Sequence, residues 1–268
     1  MTLVDPCSNC LFDYYECICD SERDYAKHPL EILSYGGGTQ STAMLVLIQK
    51  GILPKPDLVI HADTGSEMPE TVEFMKTAEN LCDSLGIPFV IVSSHRGSLH
   101  EDYMSIGSLP VMGTRSCTSN FKIRPQRRYV RKIVGKRRKK VLCKMWLGIT
   151  TDEAHRRSAS DVMWTELTYP LLDMHPITRL EAIGINEDAG LKVGKSGCFC
   201  CPYAGSKHWL SLRDDHPELF AIALEMEQKK FDQRGGKLGL FQTNKLADLD
   251  SFKPKKDSKC DTGAGCFL

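Results

Sequence analysis

Two groups of residues in this 268-residue chain could do chemistry. The first is Gly36-Gly37-Gly38-Thr39-Gln40-Ser41-Thr42, preceded by the apolar Ile32-Leu33 and followed by an apolar run from Ala43 to Ile48. Glycines let a backbone approach a ligand closely, and a helix start offers unpaired N–H groups and the positive end of its dipole. A strand, a glycine turn and a helix start in that order form an anion site suited to phosphate. It is not a P-loop, because no Lys-Ser/Thr pair follows a G-x-x-x-x-G. The second group is cysteines. Gly197-Cys198-Phe199-Cys200-Cys201-Pro202 holds a C-x2-C pair followed by proline, an order common in cluster-binding loops. Zinc on Cys117, Cys198, Cys201 and either Cys200 or His208 also suits these residue types, as does a loop of free thiols.

A further four cysteines, Cys7, Cys10, Cys17 and Cys19, lie within 13 residues. Cysteines so close together are hard to place in a core. They suit a small structural zinc site, which would order a segment too short to fold by itself, or else a thiol-rich tail.

The composition, 41% hydrophobic and 26% charged, is that of an ordinary globular protein. No apolar run approaches the roughly 20 residues that span a bilayer, so no membrane partner is expected. The N-terminal MTLVDPCSNC lacks the basic-then-apolar order of a signal peptide, and a reducing cytoplasm is the expected setting. There, twelve cysteines read as ligands, reactive thiols or core residues before disulfides.

The elements that must position these groups follow from periodicity. Ile32-Leu33, Leu58 to His61, and Phe89 to Val92 read as strands; residues 42–50 and 70–85 read as helices. Strand–helix alternation predicts an α/β fold with a doubly wound, mostly parallel sheet and ligands at the carboxyl ends of the strands. Both the glycine loop and His61-Ala62-Asp63-Thr64-Gly65 fall at such ends. A Cys-rich segment is expected at 1–28, a nucleotide-binding domain with the cysteine cluster at 29–212, and a helical extension with a Cys-containing tail at 213–268. Helix 218–230 opens at Pro217, which suits a first helical position.

Net charge is only +1, but residues 103–151 contain no acid and thirteen Lys or Arg. Charge so lopsided suits a polyanion, either nucleic acid or a phosphorylated nucleoside, bound through the 115–144 segment. The plain alternative is a solvated basic helix with Tyr129, Val130, Ile133 and Val134 as its apolar face, a turn at Lys136 to Lys140, and a strand at 141–143. Aromatics are sparse there, so stacking of single strands on this stretch is not indicated.

Taken in order, these motifs resemble a known family. Gly37-Gly38-Thr39-Gln40-Ser41 resembles the pyrophosphate loop of the PP-loop ATP pyrophosphatases, usually Ser-Gly-Gly-x-Asp-Ser, with Gly36 at the Ser and Gln40 at the Asp. Ala62 to Thr71 looks like the Asp-Thr-Gly…Pro-Glu-Thr stretch of the phosphoadenylyl-sulfate (PAPS) reductase branch of that fold. Arg115-Ser116-Cys117 before Lys122-Ile123-Arg124-Pro125 resembles its Cys-Cys…basic-Pro segment, with Ser116 replacing one cysteine. Gly148, Glu153 and Arg157 match Gly-x-Arg-x-x-Glu-Ser-x-x-Arg, while Thr150 and Ala154 depart from it. Tyr169-Pro170-Leu171-Leu172-Asp173 is similar to Asn-Pro-Leu-x-Asp. The resemblance covers residues 31–205.

The resemblance implies a PP-loop (HUP-like) fold that binds ATP with Mg²⁺. Ser34, Gly36 to Thr42, Asp63, Thr64, Gly65 and Gly148 would contact the nucleotide; Gln40, Ser41, Asp63, Glu153 and Arg157 would act in catalysis. Cys117 lies 81 residues upstream of Cys198, comparable to the gap in iron–sulfur members, which implies a [4Fe–4S] cluster on Cys117, Cys198 and Cys201, with Cys200 on the fourth iron or that iron open. The implied activity is adenylation of an acceptor, nucleic acid or nucleoside, for sulfur transfer from a donor protein. A sulfonucleotide reductase and a non-catalytic binding protein are the alternatives. The reductase tail motif Glu-Cys-Gly-(Leu/Ile)-His is absent around Cys260 and Cys266.

Overall fold

The computed structural model describes residues 23–135, 140–235, 239–240 and 245–251. The expected N-terminal metal site on Cys7, Cys10, Cys17 and Cys19, the turn at 136–139, and Cys260 and Cys266 lie outside these. The chain forms two compact units, one from residues up to 62 with 72–92 and 126–194, the other from 63–71, 93–125 and 195 onward.

The first unit is built on a parallel five-stranded sheet: β1 Leu30–Tyr35, β2 Leu58–Asp63, β3 Phe89–Ser93, β4 Cys143–Trp146 and β5 Thr165–Thr168. Their order is β3-β2-β1-β4-β5, the α/β arrangement expected. In β1, Ile32 pairs with Leu58 on one side and Met145 on the other. Strands enclosed on both faces read as near-continuous apolar runs, which is why β1 and β2 were legible. The order reverses between β1 and β4, and the crevice beyond their carboxyl ends is where such sheets bind ligands.

Helices α1 Thr39–Gln49, α2 Pro69–Leu85 and the basic α5 Arg124–Val134 follow strands or loops of this unit. Two shorter elements precede α5: α4 Ser116–Thr118 and a π-helical turn Ser119–Ile123. α1 is buried from Thr39 to Ile48. Apolar all round, it lies in the core with Leu33, Val59, Met75, Ala78 and Trp146. It begins at Thr39 rather than 42, because Thr39, Gln40 and Ser41 already form its first turn. β4 lies two residues beyond the expected 141–143. α6 Pro170–Asp173 and α7 Arg179–Asp188 complete the unit, the latter opened by a capping box of Thr178 and Glu181.

The second unit holds α3 Leu99–Ser105, α8 Ser206–Asp215 and α9 Pro217–Arg234, with a 3₁₀ turn at Leu246–Ser251. Phe121, Phe199, Trp209, Leu212 and Met226 form its core. Pro217 occupies the first turn of α9, as its fixed φ allows. Glu227 of α9 is buried, and its carboxylate accepts the backbone N–H groups of Leu240 at 2.6 Å and Leu246 at 2.8 Å. Glu227→Gln presents an amide donor to one of these donors. It is therefore expected to lower unfolding stability by about 1–3 kcal/mol in urea titrations. Among the described residues no helix is long and apolar enough to cross a membrane.

Candidate functional site

The glycine loop follows β1 at its carboxyl end. Gly37 adopts φ +74°, a conformation glycine takes at no steric cost, and Gly38 is the extended N-cap of α1. The hydroxyls of Ser41 and Thr42 are committed to the loop itself. Ser41 Oγ donates to the Gly38 carbonyl at 3.1 Å and accepts from Gly36 N–H at 3.3 Å; Thr42 Oγ1 donates to the same carbonyl at 3.0 Å. Thr39 Oγ1 donates to the carbonyls of Val193 and Gly194, both at 3.3 Å. Asn186 Nδ2 donates to the Thr39 carbonyl at 3.0 Å. The turn is thus braced by these contacts, leaving the helix start to meet an anion. Ser34, by contrast, donates to Gln126 Oε1 at 3.1 Å.

Gly148, just past β4, lies against this helix start. A Cβ there would sit 3.1 Å from Gln40 Cβ and 3.2 Å from the Ser41 nitrogen. The family's Gly at this position is thus a matter of space. Gln40 Nε2 donates to Glu153 Oε2 at 3.1 Å, so two of the expected catalytic residues meet. Thr150, at the family's first Arg, is fully buried.

Glu153 and Arg157 do not meet. The Thr151–Arg156 segment is a 3₁₀ turn, where i,i+3 side chains eclipse, and the buried Glu153 pairs with Arg156 at 2.9 Å. The exposed Arg157 pairs instead with Asp173 at 2.8 Å and stacks on Tyr169. An α-helix would have set Glu153 and Arg157, four apart, on one face as a surface ion pair; the 3₁₀ turn does not. Burial pushes the Glu153 carboxyl above its ordinary value of 4.5, an effect Arg156 only partly opposes. The folded chain then keeps a proton that the unfolded chain has released, so this contribution to stability is full below 4.5 and lost as pH rises through the raised value. Glu153→Gln cannot ionise. Its stability relative to wild type is expected to improve as pH rises above 4.5, measured by urea midpoints across a pH series; a constant difference would count against this account.

In the second unit, Asp63 Oδ1 accepts the Gly65 N–H at 2.7 Å, the turn-capping contact that carboxylates make after strands. Gly65 has φ +62°, and a Cβ on it would lie 2.8 Å from Ser98 Cβ. Thr64 Oγ1 donates to Glu67 Oε2 at 2.5 Å and lies 3.2 Å from Cys198 Sγ. Glu67 and Cys198 also share an isolated bridge. Phe199 N–H donates to the Ser66 carbonyl at 2.9 Å.

The four central cysteines fall in one apolar cluster. Cys198 and Cys200 are buried within it, and Cys117 and Cys201, half-buried, pack against it. Burial pushes the Cys200 thiol well above 9.0. Among the described residues, no set of three or more His, Cys, Asp or Glu is arranged as a group that could hold a metal ion. The donor chemistry suits iron or zinc thiolate ligation; ligation itself would require Cys198 to exchange its contact with Thr64 for the metal. His208 Nε2 is engaged with the Phe199 carbonyl at 3.0 Å.

Sequence reasoning missed Arg156, Asn186 and Glu67. Arg156 is adjacent to the expected Arg157, and only the 3₁₀ spacing picks it out. Asn186 and Glu67 gave no signal of their own.

The chain belongs to the phosphoadenosine phosphosulfate reductase domain family, whose model it matches over residues 31–186. An uncharacterized protein of Methanocaldococcus jannaschii is 27% identical over 222 residues, 77% of this chain and 48% of that protein. The chain thus spans about half the length of that curated relative. PAPS reductase from Candida auris, solved as a phosphate complex, covers 65% of this chain and 83% of its own at 11% identity and a TM-score of 0.45. A U34-tRNA thiolase, NcsA from Methanococcus maripaludis, solved with its [4Fe–4S] cluster, covers 94% and 100% at 17% identity and a TM-score of 0.36. At these scores neither structural likeness bears on the chemistry.

Proposed function

We propose that this PAPS reductase-like protein is an ATP-dependent enzyme that adenylates an acceptor for sulfur transfer. The observation that carries it is the loop Gly36 to Thr42. Its own hydroxyls brace it, and Gly148 lets β4 crowd its helix start, leaving the backbone N–H groups and dipole of α1 for a pyrophosphate. An acceptor oxygen would attack the α-phosphorus, the P–O bond to pyrophosphate would break, and a sulfur nucleophile from a donor protein would then form the bond to the acceptor as AMP leaves. Mg²⁺, carried on the phosphates, supplies charge neutralisation. Gln40, oriented by Glu153, stands where the family's Asp does, and its neutral amide can donate to a phosphate oxygen as well as accept. Cys117, Cys198, Cys200 and Cys201 would hold the [4Fe–4S] cluster, which supplies a sulfur-binding metal centre, with zinc the alternative metal. The acid-free 115–144 segment would receive a nucleic-acid acceptor.

ATP-dependent exchange of labelled pyrophosphate is the test. Exchange that depends on Mg²⁺ and falls in Gln40→Ala supports the reading, and no exchange with any acceptor overturns it. The family match favours a second reading, reduction of an already adenylated sulfate, which reductant-dependent sulfite release would identify.

A further inference from the structure

We propose that α5 and the cleft beside edge strand β5 form a binding site for single-stranded nucleic acid, the backbone on the helix and one unstacked base in the cleft. This rests on the reading of the acceptor as nucleic acid and names the surface that would hold it.

α5 carries Arg127, Arg128, Arg131 and Lys132, and its own sequence from Arg124 to Val134 contains no acidic residue. Arg128 and Lys132, four apart and so on one face, are exposed. The other two tie the helix to the next loop. Arg127 pairs with Asp161, and the Arg131 guanidinium lies 4.9 Å over the Trp164 ring. Between Asp161 and Trp164 stand Val162 and Met163, which form a wall of a cleft of about 570 Å³. That volume lies within the about 300–1,000 Å³ usual for small-ligand sites. The basic face and the cleft therefore adjoin.

The cleft is built for a base rather than for a phosphate. Met163 is 71% exposed in it, a large apolar side chain that can cover a ring face. Thr165 is 6% exposed, and its hydroxyl has no hydrogen-bond partner. At the cleft surface the exposed Glu166 carboxylate can only accept, as from an exocyclic amine. Arg157 also lines the cleft, but its charge is engaged by Asp173. Negative Glu166 repels phosphate, so the chain's backbone is directed to α5. The basic stretch itself is poor in aromatics; the apolar contact comes from the loop that follows it.

The experiment is fluorescence anisotropy of labelled short single strands, RNA and DNA of one sequence, and of the matching duplex, titrated with the full chain at several salt concentrations. The double variant Arg128→Ala/Lys132→Ala is expected to lower the salt slope of single-strand binding by about 1.4, about 0.7 for each lost phosphate contact. Met163→Asp is expected to weaken single-strand binding about tenfold and leave duplex binding in place. An unchanged salt slope in the double variant, an equal loss of single strand and duplex in Met163→Asp, or no binding by wild type overturns the proposal. All three side chains are exposed, and thermal melts confirm that the variants fold. Pyrophosphate exchange is scored separately: binding without exchange leaves this surface standing and removes the adenylation.

Discussion

Protein purified without oxygen is expected to carry about four iron and matching sulfide per chain, and Cys198→Ala to carry less than about one. The expectation follows from the proposed cluster on Cys117, Cys198, Cys200 and Cys201, whose sulfurs, not arranged as a metal site as they stand, would have to draw together around it. Cys117 and the Cys198 to Cys201 loop, far apart in sequence, end in the same apolar cluster. Such surroundings exclude water from a metal and favour thiolate ligands over solvent. The control is Cys143→Ala. Cys143 is buried in β4, and burial pushes its thiol up to about 12, so it is inert and its loss should leave the iron in place. Visible absorbance with metal analysis reads both variants. Zinc in place of iron, lost in Cys198→Ala, would keep the site and remove the sulfur-carrying chemistry. Iron retained in Cys198→Ala would show that the cysteine cluster is not where the metal sits.

Gly148→Val is expected to weaken ATP binding on the order of tenfold, equivalent to about 1.4 kcal/mol of lost binding. Even a methyl at Gly148 meets Gln40 Cβ at 3.1 Å and the backbone of Ser41 and Gln40 at 3.2 and 3.3 Å. Two of those three atoms belong to the main chain at the start of α1, which cannot swing aside as a flexible side chain could. Valine adds two further carbons. The helix start must shift, and with it the N–H groups offered to the pyrophosphate. Overpacking of this kind also costs about 1–3 kcal/mol of stability. Equilibrium dialysis with labelled ATP gives the affinity and urea unfolding gives the second number. Unchanged affinity with reduced stability would place the nucleotide elsewhere.

The parts of this site that could be read from the residues alone were those fixed by steric rules. Three glycines between an apolar strand and an apolar helix permit a tight turn that bulkier residues resist, and the loop stands where that order places it. The exposed carboxyl end of β2 with Asp63 and Gly65 was legible for the same reason. What pairs across the fold was not. Whether Glu153 meets Arg156 or Arg157 depends on three or three-and-a-half residues per turn, and tertiary packing decides that over so short a stretch. β5 was missed because Thr-Glu-Leu-Thr is four residues long and polar at three of them, as edge strands often are. The nearness of Cys117 to Cys198 came from the family resemblance and not from spacing, which carries no information across 81 residues. The basic stretch announced its charge, but the cleft beside it is made by residues that gave no sign.

Thr39 has a consequence beyond bracing. Its hydroxyl reaches the carbonyls of Val193 and Gly194, and its own carbonyl takes the amide of Asn186. The first residue of α1 is therefore bonded to the end of α7 and to the strand-less chain that follows. A ligand that grips this helix start stabilises whatever must stay folded to present it, by RT ln(1 + [L]/Kd). Local opening of residues 186–194 would then share the free energy of nucleotide binding. Amide exchange in that segment should slow as nucleotide is added, so that a stretch touching no phosphate would report occupancy of the loop.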